Sequence, residues 1–136
     1  MNMKTLLIGL AGGIVAFLTG FFVYGILMME YFSTNTPKIP GLTKDPMEIW
    51  ATGLGNIVWG ILLSYIIAIA GIKSGAKGAL NGAFIFFLFS LGTNIVFYSQ
   101  YNIYTFQTGI VDALCMAVLG ATSGALTGWL YLRTSA

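Results

Sequence analysis

Four runs of apolar residues dominate this chain, near residues 4–29, 47–72, 78–99 and 106–132. Each exceeds the ~20 residues that a helix needs to cross a ~30 Å hydrocarbon core. Inside a bilayer every backbone N–H and C=O must find a partner within the protein, and a single span manages this only as a helix. The sequence therefore predicts an all-α fold. It is a transmembrane four-helix bundle, antiparallel in up-down-up-down order, forming one integral membrane domain over residues 1–136. The second run is longer than required, which permits tilt. The charge content agrees: 7% of the residues are charged, against about 25% in an ordinary soluble domain. The lipid bilayer must solvate most of such a surface.

Positive charge sets the expected sidedness. Lys4, Lys73, Lys77 and Arg133 fall on one side of the spans, Lys38 and Lys44 on the other. Cytoplasmic loops carry the excess of Lys and Arg, so both termini are expected in the cytoplasm. Met1 to Gly20 has the charged start and apolar run of a secretory signal. The run continues to about Met29 without an Ala-x-Ala site, so it reads as a retained first helix. Tyr98, Tyr101, Tyr104 and Phe106, with Tyr31 and Trp50, are expected to form the outer aromatic belt, and Trp129 and Tyr131 the inner one.

Two connections are distinctive. Tyr31 to Pro46 holds all three prolines and ends Asp45-Pro46-Met47-Glu48. That string reads as an N-cap, a proline at the first helical position and an acid in the first turn. Lys73 to Lys77 is short and predicts a tight antiparallel pairing of the second and third helices.

Several function classes drop out. A net charge of +2 with no basic run argues against nucleic acid. There is no histidine, so the commonest metal ligand and the usual general base are missing. No His-Glu-x-x-His string occurs, nor a pair of acids within the spans. No enzyme activity, cofactor or metal is therefore expected. The single cysteine, Cys115, reads as a small packing residue.

Lipid tails give helices little hydrophobic reason to associate, so close contact depends on small residues. The first helix carries Gly9, Gly13, Ala16 and Gly20 on one face, and the third carries Gly78 and Gly82. The fourth has Gly120, Gly124 and Gly128 beside Ala113, Ala117, Ala121 and Ala125. It is the expected centre of the bundle. The same face would also suit a second copy of the chain or a membrane partner.

Asp112 is the one charged residue deep within a span. An acid there costs on the order of 3 kcal/mol on insertion scales, so it needs a partner or a task. Thr52-Gly-Leu-Gly-Asn56 and Thr108-Gly-Ile-Val-Asp112 share a Thr-Gly-x-x-Asn/Asp pattern, which places Asn56 and Asp112 at similar depth. Asn94 lies close to that layer, and Tyr24 follows Gly20 by one helical turn. With the small faces inward, Tyr24, Asn56, Asn94 and Asp112 converge, and Trp59 walls the group. Thr108, Asp112, Ser123 and Thr127 form a polar stripe along the fourth helix. The cluster reads either as hydrogen-bonded glue that fixes helix register or as an outward pocket in which Asp112 holds a small solute, a cation or a proton. The first reading suits an accessory or assembly subunit docked through the glycine-rich fourth helix, the second a binding or transport protein. Glu30 is expected to be an interfacial charge reaching water.

Tyr24-Gly25, Gly82-Ala83-Phe84 and Asp112-Ala113 followed by Gly120 carry a resemblance. The chain resembles a domain-of-unknown-function family of small four-span bacterial membrane proteins. The resemblance implies the same four-helix fold, draws attention to Asp112, and implies no particular activity.

Overall fold

A computed structural model describes residues 2–134. It contains α1 (Met3–Phe22), a π-helical turn (Val23–Leu27), α2 (Met29–Asn35), α3 (Ile49–Ile69), α4 (Gly75–Gln100) and α5 (Phe106–Arg133). Four helical stretches are long and apolar enough to cross a membrane: Met3–Leu27, α3, α4 and α5. The fold is thus an all-helical bundle with four candidate spans. The short α2 was not expected; it leads away from the first span.

The helix starts have local causes. Asn2 caps α1 by accepting from the Thr5 N–H and hydroxyl, both at 2.9 Å. Ser74 caps α4 and Thr105 caps α5, each accepting the N–H three residues on. At the end of α3 the chain turns through Gly71 at φ +65°, and the Ile72 N–H returns to the Ile67 carbonyl. This left-handed closure suits glycine because a Cβ is disfavoured there.

Asp45-Pro46 does not begin α3, contrary to the sequence reading. The helix starts at Ile49, three residues beyond Pro46, and the Asp45–Pro46 peptide is cis. Glu48 takes the cap position, but its side chain makes no capping bond. Its carboxylate is ion-paired with Lys44 instead.

Small residues decide which helices meet. α1 pairs with α3, α4 pairs with α5, and α1 and α5 join the two pairs. A Cβ added at Gly9 would lie 2.6 Å from the Ile61 Cα, and one at Gly13 would lie 2.6 Å from the Ile57 Cα. Gly60, across from them, would strike the Gly13 backbone if it bore a side chain. On the other side, Gly78 and Gly82 interlock with Gly120, Gly124 and Gly128, backbone on backbone. Gly20 is looser, facing only the Leu119 side chain.

One expectation fails here. α3 and α4 are joined by a tight turn yet scarcely touch. Each is held by its small-residue partner, α1 or α5, rather than by its neighbour in the chain. The glycines of α5, Gly120, Gly124 and Gly128, are likewise covered from within by α4 and the turn before it. The expectation that α5 is the centre stands, since it contacts α1, α3 and α4.

The aromatic expectations divide. Trp50, Tyr98, Tyr101 and Phe106 are exposed at the α2 end of the bundle, whereas Tyr31 and Tyr104 are half-buried. At the opposite end Trp129 is exposed under the Arg133 guanidinium, 5.4 Å from its ring. Tyr131 is not a belt residue. It is buried, and its hydroxyl lies 3.0 Å from Ser64 Oγ, which itself donates to the Thr5 carbonyl at 2.8 Å. A phenol that finds polar partners inside the bundle has no need of the interface.

Candidate functional site

Asp112 lies in the second turn of α5, near the α2 end. Three donors from two other elements converge on its carboxylate. Tyr24, in the π turn, donates its hydroxyl to Oδ1 at 2.8 Å. Ser90 and Asn94, one turn apart on α4, donate to Oδ2 at 2.8 and 2.7 Å. The Asn94 amide also reaches the Gly109 carbonyl at 3.0 Å and Ser90 Oγ at 3.2 Å. Gly109 makes this approach possible, because a Cβ there would sit 3.2 Å from the Asn94 Cβ. A carboxylate can accept at about four positions, and these three donors fill most of them.

The π turn positions Tyr24. Its wider bonding sends the Met28 N–H back five residues to the Val23 carbonyl at 2.8 Å. Such turns inside α-helices are rare and recur at functional sites. Phe32 of α2 packs against the Tyr24 ring, with centroids 5.4 Å apart, and steadies it from the loop side.

The carboxylate borders a cavity of about 750 Å³ lined by all four spans. That volume falls within the ~300–1,000 Å³ of small-molecule sites. Phe17, Phe21, Trp59, Phe89, Met116 and Leu119 supply apolar walls, and Thr52, Asn56, Ser90, Thr93, Asn94 and Asp112 supply the polar groups. Trp59 stands as a wall, as expected, with its ring edge-on to Phe86 at 6.2 Å. A small apolar void of about 40 Å³ continues the α3–α4 seam between Leu62 and Ile85.

The expected convergence is therefore met in part. Tyr24 and Asn94 bond Asp112 directly, while Asn56 shares the cavity without reaching it. The Asn56 amide donates to the Thr52 carbonyl of its own helix at 2.9 Å. Its Oδ1 is buried and has no partner. The expected stripe along α5 is broken. Thr108 bonds to the Thr105 cap, and Ser123 and Thr127 are buried against Gly12 of α1, away from the carboxylate. Ser90 was missed, although it precedes Asn94 by four residues and so shares its face.

Beyond the spans, burial and the Asp112 charge push the Tyr104 phenol above its ordinary range. Glu30 is exposed in the first turn of α2. Among the described residues no cluster of His, Cys, Asp or Glu is suited to a metal.

Fold and site together define a multi-pass integral membrane protein with a polar cluster, centred on one acid, at the edge of a cavity between the four spans. Neither protein-family models, nor curated proteins, nor solved structures give a match to this chain.

Proposed function

We propose that the cavity binds a small solute or cation and that Asp112 is its anchoring group, as part of carrying or retaining that solute at the membrane. In this reading the protein sits in a bacterial inner membrane with its termini in the cytoplasm. The cavity then lies in the outer half of the bilayer. One observation carries the proposal: an acid within a span is fixed by three donors at the edge of a roomy cavity rather than packed into the core. Acids that serve only as register glue have no use for such space. An accessory role through α5 is less well supported, because α4 already fills that helix's glycine face.

A ligand that binds the folded state raises its melting temperature by mass action. Purified protein and an Asp112→Asn variant would be screened by thermal unfolding against monovalent and divalent cations, small polar solutes and amines. At least one compound is expected to stabilise the wild type and leave the variant unmoved. If every stabilising compound acts equally on both, Asp112 is not the anchor.

A further inference from the structure

We infer that the ligand is an amphiphilic amine, with a cationic hydrogen-donating head on an apolar body, taken from the plane of the bilayer. This rests on the cavity being a binding site, and it goes further by naming the chemistry.

The head follows from what the site leaves unfilled. A carboxylate offers about four acceptor positions, and three donors reach Asp112. The side chain is half-buried rather than sealed, so its remaining position faces the cavity. Asn56, 6% exposed, contributes a second acceptor, its unpartnered Oδ1. A buried carbonyl without a donor costs roughly 1–3 kcal/mol, so a ligand that supplies the donor recovers that cost. Both unfilled positions accept. The complementary group is a multiple donor, and an ammonium carries three.

Charge narrows the choice. The donors around Asp112 are neutral, and no Lys or Arg lines the cavity. An ionised acid without a counter-charge in a low-dielectric site attracts a cation far more strongly than it would in water. The rings of Trp59 and Phe89 in the same lining also favour a cation over an anion.

The body and the route follow from the walls. Beyond the polar patch the lining is aromatic and aliphatic, which suits hydrocarbon rather than a hydrated ion. The seam between α3 and α4 is sparsely packed and lined by Leu62, Ile85 and Phe89. An apolar seam admits a molecule from lipid more readily than from water.

The test uses the full chain in phosphatidylcholine nanodiscs. Trp50 and Trp129 are replaced by Phe, which leaves Trp59 as the reporter on the cavity wall. The probes are a primary alkylamine brominated on its chain, the alcohol with the same brominated chain, and ethylamine as a chainless competitor. Bromine quenches indole fluorescence on contact. Saturable quenching by the amine is expected, with the alcohol at least about tenfold weaker, in line with the strength of a charge-assisted bond. Asp112→Asn should weaken the amine by a similar factor, and Asn56→Ala several-fold. Asn56 makes no side-chain bond to another helix, so its variant carries the test if Asp112→Asn does not fold. Equal quenching by amine and alcohol overturns the cationic head. Full displacement by ethylamine at matched concentration overturns the apolar body. Absence of saturable quenching overturns the whole inference. In each of these cases the thermal screen above still decides separately whether the cavity binds something else through Asp112.

Discussion

The Tyr24 hydroxyl donates to Asp112 Oδ1 at 2.8 Å and lies 3.3 Å from the Asp112 carbonyl. It is the bond that ties the first span to the acid of the last. Side-chain bonds between helices in membranes average about 0.6 kcal/mol and reach about 1.7. A charged acceptor places this one toward the upper end. Tyr24→Phe is expected to destabilise the bundle by about 1–2 kcal/mol in reversible unfolding from mixed micelles. The same substitution in an Asp112→Asn background should cost less than about half as much. Equal costs in the two backgrounds would mean that the phenol stabilises by packing alone.

Asn94 and Ser90 both reach Oδ2, but they are not equivalent. Ser90 gives one bond to the carboxylate, whereas Asn94 also satisfies the Gly109 carbonyl near the start of α5. Asn94→Ala should therefore cost about 2–3 kcal/mol and Ser90→Ala about 1 kcal/mol, from the loss of bonds to a charged group and the exposure of orphaned partners. Unfolding of the two single variants, measured side by side, checks the order. A larger loss for Ser90→Ala would show that Asn94 is not the main link between α4 and α5.

Much of this was legible in the chain. The four spans follow from length and hydropathy, and their ends fall within about three residues of the helices seen. Asp112 stood out because a lone acid in hydrocarbon is costly, and Tyr24 and Asn94 followed from depth. Ser90 was overlooked because a serine in a span is cheap and common, although its spacing from Asn94 gave it away. The π turn at Val23–Leu27 left no mark that distinguishes it from α-helix. The pairing of helices departs from what the tight Lys73–Lys77 turn suggests, because Gly60 and Gly82 bring α3 onto α1 and α4 onto α5. In lipid, backbone contact at small residues outweighs a short connection. Asn56 was placed at the right depth, but which way its amide turns depends on its own helix and has no signature in sequence.

Two glycines on one helix make a sharp comparison. At Gly82 a Cβ would collide with the Gly120 carbonyl, whereas at Gly92 it would meet nothing within 4 Å. Gly82→Ala is expected to separate α4 from α5 and to cost at least about 1–3 kcal/mol, the usual range for overpacking. Gly92→Ala should be neutral or stabilising, since alanine gains helix propensity over glycine. Unfolding free energies of the pair in the same micelles give the answer. Equal tolerance at both sites would contradict the close approach of the two backbones.

Cys115, the single cysteine, is 7% exposed and belongs to the apolar core. It reports on the integrity of that core without any engineered label. A membrane-permeant maleimide reaches a buried thiol only when the surroundings open, so the labelling rate follows the local opening free energy. In the wild type, labelling should be slow beside the same reaction in denaturant. Tyr24→Ala removes both a packed ring and the bond to Asp112, whereas Tyr24→Phe removes only the bond. Each ~1.4 kcal/mol of lost local stability corresponds to about a tenfold faster reaction. Labelling is therefore expected to rise by about tenfold in Tyr24→Phe and by clearly more in Tyr24→Ala, with Gly92→Ala unchanged. Fast labelling of the wild type would mean that the core around Cys115 is open, and that the three donors do not hold Asp112 in place.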